Sequence, residues 1–288
     1  MTLRILPSAA IGIRPGLHSK VTARAFENWN PDIRQAAGTA ETVENTISVL
    51  DVIGNDAWGE GVTAKRVAAA LRSIGDQNVV VNINSPGGNY FEGLAIYNTL
   101  REHKAKVTVK ILGVAASAAS VIAMAADEVQ IARAGFLMIH NAWVVAEGDR
   151  HQLREVADFL EPFDAAAVDI YVARSGMDAK EVAKMLDRET WIGGAEAVEK
   201  GLADALLSSD EIAASPQNSA AAKTRVAAHR VDDLLAQLNV PRSERRELIA
   251  ALKGGMPGAA STGMHDAAVL SEVNDLLKST LNTFKTSV

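Results

Sequence analysis

Four separated features of the sequence supply the groups that acyl transfer by a serine requires. They are a glycine pair, a serine, a histidine and a short acidic segment: Gly87-Gly88, Ser117, His140 and Asp187-Arg-Glu189. Such chemistry needs a nucleophile, a base that takes its proton, an acid that orients the base, and two N–H donors aimed at the oxyanion. The chain therefore offers one candidate for each role.

Ser117 is predicted to lie at a junction between a strand and a helix. The residues from Val107 to Leu112 alternate and are β-branched, as in a strand, while the alanine-rich run after Gly113 favours a helix. The first turn of a helix has unpaired N–H groups and the positive end of the helix dipole, so a serine there has donors for a developing oxyanion. The alternative is that Ser117 and Ser120 are small residues that let a buried helix pack closely.

The glycine pair and the histidine are each predicted to follow a buried strand. The apolar strand Val79–Ile83 leads into Asn84-Ser-Pro-Gly-Gly88, a tight turn in which backbone can approach another group without a Cβ in the way. His140 comes directly after the apolar strand Phe136–Ile139. A plain connecting turn and an ordinary histidine at a strand end are the alternatives for these two features.

Strands and helices alternate through the middle of the chain. A strand from Thr46 and a helix capped by Thr63 precede the elements described above, and the links between them are short. This order implies right-handed crossovers and a mostly parallel sheet covered by helices, which is an α/β fold. A long helical stripe from about Gly148 to Arg174 follows, and its regularity is typical of an interface between subunits.

The composition divides the chain into four parts. Residues 1–45 mix prolines and glycines with scattered charge and are interpreted as a loosely packed N-terminal arm, while residues 46–207 form the α/β domain. Residues 208–230 have the composition of an Ala/Ser-rich linker, and residues 231–288 are predicted to be a helical C-terminal extension. The helices predicted there are Val231–Leu238, Pro241–Leu252 and Asp266–Phe284.

Charge and composition exclude several classes of function. The net charge of −6 gives no broad basic face for nucleic acid, and the absence of cysteine excludes disulfides and thiolate metal sites. The one membrane-like stretch, Val107–Ala126, is interrupted by Lys110 and Gly113, and the first residues contain no apolar run suited to a signal peptide. We expect a cytoplasmic protein with no membrane span, no nucleic-acid partner, no metal and no cofactor.

Four motifs of the chain resemble those of the ClpP peptidases, in the family's order and near its spacings. The motifs are Ile83-Asn-Ser-Pro-Gly-Gly88, Gly113-Val-Ala-Ala-Ser117, Met138-Ile-His140 and Ala195-Glu-Ala-Val-Glu-Lys-Gly-Leu-Ala-Asp204. The resemblance implies a ClpP/crotonase-like fold of repeated β-β-α-type units with a mostly parallel sheet and a long protruding helix. It also implies a serine endopeptidase that works as a homo-oligomeric ring or double ring on protein or peptide substrates.

The resemblance also assigns roles to individual residues. It implies that Ser117 is the nucleophile, that His140 is the general base, and that the N–H groups of Gly88 and Ala118 form the oxyanion hole. Substrate is expected to bind as an extended strand beside Gly87 and Gly88. The neighbouring Asn89 and Asn141 are further candidates for substrate binding.

The third member of the triad departs from the family's usual pattern. The aligned position holds Glu189 where the family usually has aspartate, and a glutamate can hold a histidine tautomer while reaching one methylene further. Asp187 is the reserve candidate for this role. The residue after the nucleophile is Ala118 where the family often has methionine, a change that should not affect a backbone donor.

The flanks of the chain narrow the resemblance further. The compact apolar N-terminal segment by which cellular ClpP peptidases dock an unfoldase is not found in residues 1–45. The segment Glu189-Thr-Trp191 and the long Ala/Ser-linked extension are similar to the ClpP-like head maturation (prohead) proteases of tailed phages and prophages. That group implies capsid or scaffolding proteins as substrates, cleaved during capsid assembly inside a prohead.

Four other interpretations remain open from the sequence. One is a cellular ClpP-type peptidase that depends on an ATP-driven unfoldase, and another is a silent shell or scaffold subunit. A third is a crotonase-like acyl-CoA enzyme, which uses similar N–H donors but leaves Ser117 and His140 without a role. The fourth is a serine–lysine dyad with Lys110, although the alternation of the strand directs Lys110 away from Ser117.

Overall fold

The structure is a computed structural model that describes residues 18–19, 21–35, 45–56, 59, 61–208, 212–213, 220–238 and 240–254. The predicted third C-terminal helix, Asp266–Phe284, and much of the predicted arm lie outside these residues. The strands are β1 (His18–Ser19), β2 (Arg34–Gln35), β3 (Thr46–Val49), β4 (Val79–Ser85), β5 (Val107–Ala116), β6 (Glu128–Ile131), β7 (Phe136–Ile139), β8 (Val144–Val145), β9 (Thr190–Gly193), β10 (Ala205–Leu206) and β11 (Ile212–Ala213). The helices are α1 (Ala23–Asn28), α2 (Ala64–Ile74), α3 (Tyr90–Arg101), α4 (Ala118–Ala123), α5 (Arg150–Ser175), α6 (Ala179–Asp187), α7 (Gly194–Glu199), α8 (Ala220–Gln237) and α9 (Arg242–Gly254).

The main sheet is mostly parallel, as the sequence predicts. Its strands run in the order β10-β6-β5-β4-β3, and every neighbouring pair along this path is parallel. Helices α2 and α3 provide the crossovers between β3, β4 and β5. Because parallel neighbours end at the same edge, the carboxyl ends of β4 and β5 lie side by side. The glycine pair, which follows β4, and Ser117, which follows β5, therefore lie at the same edge of the sheet.

Strand β5 is longer than the sequence predicts. It continues past Leu112 to Ala116, where the alanine-rich run favoured a helix. The reason is tertiary pairing: the last residues, from Val114 to Ala116, pair in parallel with Phe136 to Met138 of β7. This ladder, in which Ala115 and Ala116 are fully buried, outweighs the helix propensity of alanine. The helix therefore begins only after Ser117.

A change of partner along β5 brings a second pair of strands to the edge of the sheet. The first half of β5 pairs with β6, the end of β5 pairs with β7, and β7 pairs in antiparallel fashion with β9. Gly113 lies between the two halves, and a Cβ there would lie 2.7 Å from Oδ1 of Asn84. The ends of β5 and β7 and the start of β9 thus meet in one place.

Helix α5 is the long protruding helix expected from the sequence. Within it, only Ala167 and Tyr171 are buried, while Leu153 in its second turn is 45% exposed. Its C-terminal half packs on the domain and its N-terminal half extends away from it. Among the described helices, none is long and apolar enough to cross a membrane.

Both flanks of the domain pack more closely than expected. Part of the predicted arm forms α1, and the side chains of Phe26 in α1 and of Trp29 after it are each 3% exposed. The helical spacing of these apolar residues is short and flanked by prolines, so it did not predict a helix. Helix α8 begins at Ala220 rather than at Val231, inside the predicted linker. The three alanines that start it are strong helix formers, and its inner face packs against α1.

Candidate active site

Ser117 occupies a strained turn between β5 and α4. Its backbone has φ of 54° and ψ of −124°, and its N–H donates to the carbonyl oxygen of Met138 at 2.9 Å. Such a conformation costs a non-glycine residue on the order of 1–3 kcal/mol and persists only where the surroundings enforce it. Among the described residues, Ser117 and Glu189 are the two non-glycine residues with positive φ. Both are sequence-predicted site residues.

The hydroxyl group of Ser117 contacts the imidazole of His140. The distance between Ser117 Oγ and His140 Nε2 is 2.6 Å, and the hydroxyl donates when the imidazole proton is on Nδ1. This contact follows from the sheet, because Ala116 and Met138 are register partners and the two side chains follow neighbouring parallel strands. Two residues far apart in the sequence thus form a pair of nucleophile and base.

Burial tunes His140 towards its neutral form. Removal from water lowers the pKa of His140, and the negative charge of Glu189 partly opposes this effect. A neutral imidazole is the form that can accept the serine proton near pH 7. Burial therefore favours the neutral form of His140, which is the form that accepts the hydrogen bond from the Ser117 hydroxyl.

Of the two candidate acids, Glu189 is the one whose charge acts on His140. Strand β9 runs antiparallel to β7 with Thr190 paired to Ile139, and this register places Glu189 opposite His140. The carboxylate of Glu189 accepts a hydrogen bond from Trp191 Nε1 at 3.3 Å, and among the described residues no hydrogen bond joins it to His140. Glu189 therefore acts on the imidazole through charge in this arrangement.

Asp187 holds the loop after His140 instead of the imidazole. Its Oδ1 accepts a hydrogen bond from Asn141 Nδ2 at 2.9 Å. The next residue, Ala142, donates its N–H to Asp164 of α5 at 2.6 Å. These two contacts fix the chain beyond His140. No pattern in the sequence indicated the contact made by Asp164.

The glycine pair forms a short parallel bridge with Ile53. The N–H of Ile53 donates to Gly87 at 2.8 Å, and the N–H of Asn89 donates to Ile53 at 2.9 Å. Since alternate residues of an extended segment point to opposite sides, the N–H and C=O of Gly88 face away from Ile53. The side chain of Asn89 caps α3 by accepting from the N–H of Glu92 at 3.0 Å.

Only glycine fits at Gly87. It has φ of 90°, and a Cβ there would lie 2.5 Å from the carbonyl oxygen of Ala116 and 2.8 Å from Cβ of Ser117. This close approach places the N–H of Gly88 beside the turn whose next donor is the N–H of Ala118, the first of helix α4. The two predicted oxyanion donors therefore come from segments in direct contact.

A small pocket adjoins the pair of serine and histidine. Its lining includes Gly88, Ser117, Val121, His140, Trp143 and Tyr171. Tyr171 reaches the pocket from α5, and its hydroxyl lies 2.8 Å from Oγ of Ser120, which also donates to the carbonyl oxygen of Ser117 at 2.6 Å. The spacing of three residues from Ser117 to Ser120 was the only sequence signal for this network.

Two further interpretations of the site lose their support. Lys110 lies about 20 Å from the end of β5 at the usual rise of an extended strand, too far for a dyad with Ser117. A crotonase-like site would give Ser117 and His140 no reason to be hydrogen-bonded.

Among the residues the structure describes, no group of three or more His, Cys, Asp or Glu side chains is arranged to hold a metal ion.

Comparison with known proteins agrees with this geometry. A family model described as Clp protease matches residues 44–210, more than half of the chain. The ATP-dependent Clp protease proteolytic subunit 1 of Chlamydia muridarum is 31% identical over 161 residues, which cover 52% of this chain and 84% of that protein. The ATP-dependent Clp protease proteolytic subunit of Deinococcus radiodurans is 29% identical over 154 residues, covering 51% of this chain and 76% of that protein.

The charge of Glu189 predicts a measurable shift in the pH dependence of activity. Because activity requires neutral His140, wild-type kcat/KM for an ester should fall only at pH values below the ordinary histidine pKa of 6.5. Glu189→Gln removes the charge that raises the pKa of His140, so the acid limb should move to lower pH, with kcat reduced at least about 10-fold. Asp187→Asn is the matched control and should leave the limb in place. An unmoved limb in Glu189→Gln, or a shifted one in Asp187→Asn, would contradict this assignment.

The close approach at Gly87 predicts that Gly87→Ala removes reactivity. The added methyl group would collide with Ala116, displace the Gly88 donor, and lower the rate of reaction with a fluorophosphonate by roughly 100-fold. Gly75→Ala is the matched control, because Gly75 has φ of 72° but no atom within 4 Å of an added Cβ. It should lose some stability and keep its rate within about twofold of wild type. Equal rates in the two variants would show that the contact with Ala116 has no effect on the site.

Proposed function

We propose a catalytic mechanism for this chain, which belongs to the Clp protease family and is a serine-type peptidase. In this proposal Ser117 is the nucleophile, His140 is the general base, and Glu189 stabilises the histidine. The observation that carries it is the hydrogen bond of 2.6 Å between Ser117 Oγ and His140 Nε2, at the start of a helix and beside Gly88.

In the first half of the reaction, Ser117 is acylated. Its hydroxyl proton passes to Nε2 of His140 while Oγ bonds to the carbonyl carbon of the substrate, and the carbonyl electron pair moves to oxygen. The N–H groups of Gly88 and Ala118 stabilise that oxyanion. His140 then gives its proton to the departing amine as the peptide bond breaks.

In the second half, water releases the acyl group. His140 takes a proton from water, the resulting hydroxide attacks the ester of Ser117, and the proton returns to Oγ as the acid product leaves. Glu189 favours the imidazolium that forms in both halves through its negative charge. The substrate lies extended along the Gly87-Gly88 segment, where backbone pairing accepts varied side chains.

Covalent labelling tests the assignment of the nucleophile. A fluorophosphonate should modify the purified wild-type protein at Ser117, as located by peptide mapping, because an activated serine reacts with phosphorus as it does with a carbonyl group. Ser117→Ala should remove the label, and His140→Ala should slow labelling at least about 100-fold.

The labelling experiment has a clear contrary outcome. Ser48 is the matched control, because it lies exposed in β3, outside the lining of the pocket, and Ser48→Ala should leave labelling of Ser117 unchanged. Labelling that maps to another serine, or that persists unchanged in His140→Ala, would refute the proposed pair. The absence of labelling in the folded wild-type protein would favour a silent shell subunit.

The biological role that we propose is the processing of capsid or scaffolding proteins during the maturation of a phage head. Support comes from the regions outside the matched residues 44–210, since α8 and α9 form a helical extension. The exposed first half of α5, in which the Leu153 side chain is 45% exposed, supports assembly into a homo-oligomeric ring. The work would take place in the host cytoplasm, inside an assembling prohead.

Coexpression with phage head proteins tests this role. Wild-type chain produced together with the capsid and scaffolding proteins of a tailed phage should yield cleaved forms of one of them, and Ser117→Ala should yield particles that retain only uncleaved protein. Mass spectrometry of the purified particles would identify the new termini. Uncleaved head proteins in the presence of wild-type enzyme that still reacts with a fluorophosphonate would reject the role but keep the mechanism.

The relatives favour one alternative role. The matched proteins of Chlamydia muridarum and Deinococcus radiodurans are named as proteolytic subunits of an ATP-dependent protease. If this chain worked in the same way, it would degrade folded proteins only together with an ATP-driven unfoldase. Co-purification with such an unfoldase, and degradation that stops without ATP, would support that alternative.

A further inference from the structure

The C-terminal helix α8 contacts the segment that holds the glycine pair. His229 of α8 is 7% exposed in its side chain, and its Nε2 lies 3.2 Å from Oδ1 of Asp51. The rings of Trp29 and His229 pack in a T-shaped arrangement, with 5.6 Å between their centroids. His229 therefore stands inside the protein, although it comes from a helix outside the matched residues 44–210.

Asp51 is the first link between His229 and the site. Burial raises the pKa of Asp51, and the neighbouring His229 opposes that rise, because a largely buried carboxylate is stabilised by a positive or donating partner. The same Oδ1 accepts the N–H of Val52 at 2.7 Å. The side chain of Asp51 thus connects α8 to the backbone that leads to Ile53.

Two sets of hydrogen bonds continue from Asp51 to the glycine pair. The carbonyl oxygen of Asp51 accepts from Oγ of Ser85 at 2.6 Å, and that Oγ accepts from the N–H of Gly87 at 3.2 Å. Ile53, two residues further on, exchanges hydrogen bonds with Gly87 and Asn89. The position of Gly88 is therefore fixed from both sides by residues 51–53.

We infer that His229 is a positioning residue for the reaction at Ser117: by holding Asp51 it sets the place of the Gly88 N–H at the oxyanion. This inference rests on the proposed function of Ser117. His229 touches no reacting atom and acts only through Asp51 and the Gly87-Gly88 segment. The consequence is that the extension is part of the catalytic structure, and that displacement of α8 lowers the activity of the site.

The test compares variants of the full chain by their reaction with a fluorophosphonate. His229→Ala should lower the maximal inactivation rate about 10-fold, because a donor displaced by a fraction of an ångström stabilises the transition state less. The concentration that gives half the maximal rate should stay within about twofold of wild type, since the oxyanion forms only in the transition state. His229→Gln places an amide near the position of Nε2 and should restore most of the rate.

A control variant separates positioning from stability. Leu71→Ala removes a buried side chain from the last turn of α2, which lies at the end of the sheet opposite Ser117. It should lower the melting temperature and keep the wild-type maximal rate at a temperature where the protein is folded. A rate lost in His229→Ala but kept in Leu71→Ala cannot come from stability alone.

Asp51→Asn keeps the inference testable if His229→Ala does not fold. It removes the charged partner of His229 but keeps the backbone carbonyl that Ser85 contacts, and it should lower the maximal rate by a similar factor. The double variant Asp51→Asn/His229→Ala should be no slower than the slower single variant, since both changes break the same link. Additive losses would contradict a shared link.

The outcomes distinguish this inference from the proposed function. A wild-type protein that is not labelled at Ser117 overturns both. A labelled wild type whose folded His229→Ala or Asp51→Asn variant reacts at the wild-type maximal rate overturns the inference alone. A lower rate in His229→Ala that His229→Gln does not restore also overturns it, because the loss would then come from packing.

Discussion

The contact between Gly87 and the backbone on either side of Ser117 is the constraint on which the site depends. A side chain at Gly87 would overlap Ala116, so the two segments touch only because glycine lacks a Cβ. This contact brings the turn that holds Gly88 against the turn that starts α4 at Ala118, although the two turns follow different strands. The strained φ of Ser117 is kept in place by the same packing and by its hydrogen bond to Met138.

The other residues of the site, His140 and Glu189, are positioned by the pairing register of the strands and not by flexible loops. The parallel pairing of β5 with β7 sets His140 beside Ser117, and the antiparallel pairing of β7 with β9 sets Glu189 opposite His140. A one-residue slip in either ladder would turn these side chains to the wrong face. The N-terminal flank also contacts this edge, since Nε1 of Trp29, which follows α1, donates to the carbonyl oxygen of Asn84 at 3.0 Å.

Much of the domain could be predicted because its local signals agree with its tertiary contacts. The apolar strands, the helix cap at Thr63 and the strand-to-helix junction at Ser117 were all predicted from pattern and turn chemistry. The end of β5 was not predicted, because it is the pairing with β7 that holds Ala115 and Ala116 in a strand. The contact of Trp29 with His229 was not predicted either. It joins two segments that are far apart in the sequence, and neither segment has an apolar pattern long enough to indicate the contact.

A crystal structure of the protein with a phosphonate bound to Ser117 would reveal the oxyanion site, because the phosphonyl oxygen takes the place of the oxyanion. We expect a bond from Oγ of Ser117 to phosphorus and an oxygen at about 2.7–3.1 Å from the N–H groups of both Gly88 and Ala118. We also expect Nε2 of His140 to stay within hydrogen-bond distance of the adduct. A phosphonyl oxygen that points to solvent, or that contacts neither donor, would refute the assignment of Gly88 and Ala118 as the oxyanion donors.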